Sequence, residues 1–143
     1  METNSTLNSN DASERRLYNR IEFKDHPVNL FKNDGTSIQG YTSDLSFWGM
    51  KILVSRLSAH LITPLIGIIE NESAFVDIVL TVPHETETLT LEAQCKVVYL
   101  GIDVDVDPKF NHTLGLHIIR HKGEGKKSIK KILYGEEAFI PIN

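Results

Sequence analysis

The stretch "YTSDLSFWGMKI", residues 41–52, decides how the chain is read. It has the pattern of one strand ending, a tight polar turn, and a second strand beginning. Such a turn needs a glycine and one short polar residue at most. Here Asp44, Ser46, Phe47, Trp48 and Gly49 crowd into one turn. That surplus points to something bound there.

The flanking segments extend the β pattern. Upstream, "HPVNLFKNDGTSIQGYTSDLS" reads as two strands around "NDG", a strong hairpin signal. Val28 and Leu30 alternate with polar neighbours; Ile38 and Tyr41 do so less cleanly. Downstream, "GMKILVS" starts a third strand. "RLSAHLITPLIGIIE" contains Pro64 and Gly67, which break a long helix, and reads as a loop and a short strand. "SAFVDIVLTVP" is rich in β-branched and aromatic residues. "HETETLTLEAQCKVVYLGI" puts Leu89, Leu91, Ala93, Cys95, Val97 and Tyr99 on one face at period 2. "DVDVDPKFNH" reads as a loop and "TLGLHIIR" as a final strand. In "GEGKKSIKKILYG" Ile129, Ile132 and Leu133 share a helical face, and Gly135 is placed to end the helix. The expectation is an all-β domain with one C-terminal helix: about six short antiparallel strands in a closed barrel or a sandwich.

Composition narrows the function. The chain has 143 residues, enough for one domain, and a net charge of −4. An acidic chain is a poor general binder of nucleic acid polymers, although a local cationic cluster can still hold one small anion. No apolar run approaches the ~18 residues of a membrane span, and "METNSTLNSNDASE" lacks a signal-peptide core, so a cytoplasmic location is expected. Cys95 is the sole cysteine and sits in an apolar-alternating run, as a small buried side chain would.

Several familiar motifs fail. Asp103, Asp105 and Asp107 imitate a calcium loop, but Pro108 and Leu114 stand where glycine and glutamate belong. His117 and His121 have a helical metal spacing on a strand end, where it does not converge, and read as isolated surface histidines. "GEGKKS" lacks the spacing of a phosphate-binding loop, and Ser46 has no evident base. Neither a catalytic set nor a metal set emerges, so no enzyme is expected.

What remains is "RRLYNR" at 15–20 together with "DLSFWG" at 44–49. Arginine presents a planar fork suited to phosphate and to the O6/N7 edge of guanine. Asp44 can accept from guanine N1–H and N2–H. Ser46 can donate to ligand or hold the turn, and Gly49 allows close approach or a positive φ. Taken alone, the first segment reads as a solvated basic stretch, and the second suits a capped hairpin and a binding turn equally. Phe47 and Trp48 suit core packing, a lid, or stacking on a base. Occurring together, the two segments make a guanine-nucleotide site.

In order, RxxxR (Arg16, Arg20) and [D/N]xSxxG (Asp44, Ser46, Gly49) resemble the PilZ domain family. The later run through "LGLHI", with Gly115, is also similar, so the resemblance spans roughly 14–134. It implies a six-stranded antiparallel β-barrel of split-barrel type that binds the bacterial second messenger cyclic di-GMP. Arg16 and Arg20 would grip guanine and phosphate, and Asp44 and Ser46 the second guanine's edge, with Gly49 permitting close approach. Arg15, immediately before the motif, implies an intercalated ligand dimer. His117 and Ile118 stand where the family usually has an aromatic, and Phe47-Trp48 is bulkier than its commoner small residues. The expected organisation is a disordered segment at 1–13, a ligand-binding arm at 14–25, a barrel at 26–119, a helix at 124–134 and a tail at 135–143. The expected product is a monomeric or weakly dimeric receptor whose arm orders on ligand and signals to a protein effector controlling motility, pili or exopolysaccharide. The alternative is a PilZ-like interaction adaptor that binds no nucleotide.

Overall fold

The computed structural model describes residues 20–63, 67–68, 75–102 and 108–134. The strands are β1 (Ile21–Glu22), β2 (Pro27–Phe31), β3 (Ser37–Ser46), β4 (Gly49–Val54), β5 (Gly67–Ile68), β6 (Phe75–His84), β7 (Glu87–Ile102) and β8 (His112–Lys122). Two helices accompany them, α1 (Arg56–Ile62) and α2 (Gly125–Tyr134). The expected segments 1–13 and 135–143, residues 14–19 of the arm, and the Asp103–Asp107 run lie outside the described residues.

Hydrogen-bonded neighbours run β3-β2-β6-β7-β8-β4, and β4 pairs back to β3. The six strands therefore close into an antiparallel barrel, which removes the open edges a flat sheet would expose. The alternation of β2 buries Val28 and Leu30, and the even positions of β6 bury Val76, Ile78, Leu80 and Val82. Fully burying each large aliphatic side chain contributes roughly 1.5–3 kcal/mol. Gly35, at φ 95°, supplies the left-handed residue that the β2–β3 turn requires. Cys95 is buried, and burial pushes its thiol up to about 12, so it packs as a small apolar group.

Three single-residue register shifts interrupt the ladders: at Ser43 in β3, at Val98 in β7 and at Ile119 in β8. Each insertion inverts which side chains face inward. The shift at Val98 overturns the expected placement of Tyr99. Val97 is buried, but Tyr99 is exposed and Leu100 takes the interior position. The ring of Tyr99 instead lies over Gly101, where a Cβ would collide with it, and the Tyr99 Cβ stands 3.2 Å from where one would sit on Gly115.

The segment at 56–62, expected as a loop, is a short helix. Ser55 caps it by accepting from the Ser58 N–H at 3.1 Å, and the Thr63 N–H closes it onto the Ala59 carbonyl. Ala59 and Ile62 join the core. The helix ends at Thr63, whose backbone is extended at φ −156° and ψ 130°. Helix α2 packs Ile129 into the core, with Ile132 and Leu133 against it, as its spacing implies.

Gly40 points into the barrel. A Cβ there would meet Ile52 Cγ2, Leu53 O and Val54 Cγ1, each at 2.7 Å. Two of these are packed side-chain methyls and the third is backbone, so Gly40→Ala should destabilise by about 1–3 kcal/mol in urea denaturation. An unchanged midpoint would mean that β3 and β4 separate freely at this point.

Candidate functional site

The second half of the arm is part of the sheet. β1 pairs with β3 through Ile21↔Leu45 and Glu22↔Asp44, and the Phe23 and Asp25 N–H groups bond to the carbonyls of Ser43 and Thr42. Asp25 adopts φ 69°, a left-handed kink that aspartate tolerates better than most residues. β1 and β2 thus follow each other along the same edge of β3.

This pairing delivers Arg20 to the turn. Its Nη1 donates to Asp44 Oδ1 at 2.8 Å. Its Nη2 lies over Gly49, 2.9 Å from where a Cβ would stand. Gly49 does not have a positive φ, so the alternative that applies is close approach: a side chain there would collide with the guanidinium. Asp44 reaches the outer face because the Ser43 insertion turns it out and sends Leu45 in. Its Oδ2 lies 3.9 Å from Lys51 Nζ on β4. The carboxylate therefore stands between two cations while keeping acceptor capacity on Oδ2.

Ser46 and Gly49 face each other across the two-residue turn, and Ser46 Oγ donates to the Gly49 carbonyl at 3.4 Å. Between them, Phe47 is 3% exposed and belongs to the core, so it is neither a lid nor a free stacking surface. Trp48 is partly buried against the core, edge-on to Phe47 at 4.9 Å. From β8, the Ile118 N–H bonds to the Trp48 carbonyl and His121 Nε2–H donates to the Phe47 carbonyl at 3.0 Å.

Comparison with known proteins follows the architecture. No family model matches the sequence, and no curated protein does. Solved structures do. The PilZ domain of YcgR from Escherichia coli, solved with c-di-GMP, is similar at a TM-score of 0.59 and 14% identity, over 86% of this chain and 92% of that one. The Bacillus subtilis inhibitor of motility MotI/DgrA is similar at a TM-score of 0.59 and 11% identity, over 82% of this chain. The Borreliella burgdorferi PlzA protein, solved in complex with c-di-GMP, is similar at a TM-score of 0.55 and 10% identity, over 96% of this chain. The chain has a PilZ-like fold. It spans 49% of the Bacillus subtilis chain and 60% of the Borreliella burgdorferi chain.

On this PilZ-like barrel, Arg20, Asp44, Ser46 and Gly49 come together at one end of the β3–β4 hairpin. Arg15 and Arg16 lie outside the described residues. Sequence reasoning overlooked Lys51, whose signal was its position two residues past Gly49 on the same strand face. It also misjudged His121. Because Ile119 is the inserted residue, His117 faces out, while His121 turns in against Phe47 and Trp48 at ring distances of 4.7 and 5.3 Å.

Burial holds the His121 imidazole below its usual value of 6.5; the Phe47 carbonyl pulls the other way, and Lys126 reinforces the lowering. With Nε2–H committed to Phe47, Nδ1 is buried with no hydrogen-bond donor among the described residues. Protonation therefore favours the unfolded chain, which titrates first. Its contribution to stability is complete above the unfolded value and is lost as pH falls toward the depressed folded one. His112 is shifted the same way, by burial and then by His60 and Arg56. Urea midpoints measured between pH 7.5 and 5 should fall with pH, and His121→Gln should flatten part of that slope. An identical slope in the variant would show that His121 does not titrate with folding.

Proposed function

We propose that the chain is a receptor for cyclic di-GMP that signals to a protein effector. The observation that carries this reading is the Arg20–Asp44 pair held over Gly49 on the outer face of a PilZ-like barrel. A cyclic guanine dinucleotide offers guanine edges and two phosphodiester anions. Asp44 matches the N1–H and N2–H donor pair of one guanine, and Arg20 matches phosphate oxygens or the O6/N7 edge. Ser46 contributes a hydroxyl at the same turn, and the glycine at 49 leaves room for the Arg20 guanidinium, and for ligand drawn to it, close to the backbone. Arg16 serves beside Arg20, and Arg15 provides the additional guanidinium that a stacked ligand dimer requires. The known partners of the similar solved proteins support the class of ligand: two of them are described with c-di-GMP. The third is described as an inhibitor of motility, which supports motility among the outputs motility, pili and exopolysaccharide.

None of the proposed roles is catalytic. The site offers binding and charge neutralisation, and the arm between residue 14 and β1 is the element that ligand would order. Ordering that segment costs backbone entropy, which charge-assisted bonds to the ligand offset.

Calorimetric titration with cyclic di-GMP, with GTP and cyclic di-AMP as controls, tests the reading. Specific heat at a stoichiometry near two supports the receptor and the Arg15 role, and a stoichiometry near one removes the ligand dimer. Absence of heat from a folded sample would overturn the receptor and leave a PilZ-like interaction adaptor. Arg20→Ala should weaken binding by about 2–4 kcal/mol. Its effect on folding stability should be within about 1 kcal/mol, because the pair it breaks is solvent-accessible. Asp44→Ala should erode the preference for guanine over adenine in the same titrations.

A further inference from the structure

The registers of β3, β4, β8 and β7 carry the site sideways. Two rows of directly paired residues cross the outer face. One is Asp44, Lys51, Gly115, Tyr99; the other is Ser46, Gly49, His117, Lys96. Residues paired in this way have Cβ atoms about 4.5–5.5 Å apart on the same face of the sheet. Lys51 is thus the immediate lateral neighbour of Asp44, and His117 of Gly49. Both are exposed. The Arg20 guanidinium reaches over Gly49 and the Tyr99 side chain borders Gly115, so Lys51 and His117 stand exposed on the barrel wall between them.

Charge on this face is unevenly placed. Arg20 and Asp44 are joined at 2.8 Å, whereas Lys51 Nζ stands 3.9 Å from the same carboxylate with its side chain 48% exposed. The Asp44 row begins on the β1 side with Glu22, paired directly with Asp44 and 3.4 Å from Lys24, so the carboxylates lie on that side and the exposed donors Lys51 and His117 on the β4 side. An otherwise acidic chain concentrates cationic and donor groups beside the guanine-binding carboxylate. Lysine acts as a flexible point charge suited to a phosphate oxygen, and an imidazole can donate to the same oxygen or lie against a base.

We infer that Lys51 and His117 are ligand-contacting residues of the nucleotide site, with Lys51 neutralising a phosphodiester anion held beside the Arg20 guanidinium and His117 fixing the side of the ligand away from the arm. The inference rests on the receptor reading above and extends it across β4 and β8. It separates the site into a half supplied by the arm and the β3–β4 turn and a half supplied by the barrel wall. The barrel-wall half is built wholly from β4 and β8.

The test is calorimetry with cyclic di-GMP on the wild-type chain, Lys51→Met, Lys51→Arg and His117→Ala, each at low and high salt, alongside thermal melts. Lys51→Met should weaken binding about tenfold, the worth of one charge-assisted bond, and should flatten the salt dependence of Kd. Lys51→Arg should restore most of the affinity. His117→Ala should weaken binding severalfold with an unchanged melting temperature. A loss of affinity in Lys51→Met that keeps the wild-type salt dependence would assign Lys51 a structural role and overturn the inference. Wild-type affinity in both Lys51→Met and His117→Ala would overturn it while leaving the receptor reading intact. A wild-type chain that binds no cyclic di-GMP would overturn both together.

Discussion

Ser43 has no opposite number on β4: Thr42 faces Ile52, and the next pair is Asp44 with Lys51. Side chains on a strand alternate with period two, so this one residue decides the orientation of everything after it in β3. Were Ser43 paired as an ordinary strand residue, Leu45 would point to solvent and the Asp44 carboxylate into a barrel lined by Ile52, Leu80 and Leu116. Burying an ionised carboxylate there costs several kcal/mol. The insertion fills the core with Leu45 and in the same stroke places the acidic group where Arg20 and Lys51 can reach it. Core and site share a single cause.

The rest of the site is held from two sides. β1 extends the sheet just far enough to fix Arg20, and β8 grips the carbonyls of Phe47 and Trp48 from beneath. The Phe47 side chain anchors the turn in the core, adding packing to the hydrogen bonds that hold the backbone of Ser46–Gly49. The turn is therefore fixed by the barrel on one side and by β1 on the other.

Local pattern made much of this legible. Strands with strict alternation, such as β2 and β6, and the apolar face of α2 were readable because each is a property of consecutive residues. Two closely spaced motifs located the turn and its charge. The insertions were not readable, because whether Ser43, Val98 or Ile119 is the extra residue depends on which partner strand lies alongside, and that partner is remote in sequence. Tyr99 and His121 were misplaced for this reason alone. α1 was missed because its seven residues are too few to establish a period, although Ser55 offered a capping signal. Arg20 could be nominated from its spacing, but its contact with Asp44 depends on the pairing of β1 with β3, which two residues cannot announce.

The brevity of β1 has a mechanical side. Its hold on β3 consists of two paired residues and the bonds from Phe23 and Asp25, arranged one after another along an antiparallel edge. Tension applied from the N-terminal side reaches these bonds in sequence, so they open like a zipper and never share the load. At the left-handed kink of Asp25 the peeling front meets the start of β2, which is bonded on both its edges, to β3 and to β6. The chain therefore has a built-in stop: Arg20 can be lifted off the turn by undoing a few bonds, while the closed barrel behind it keeps its shape.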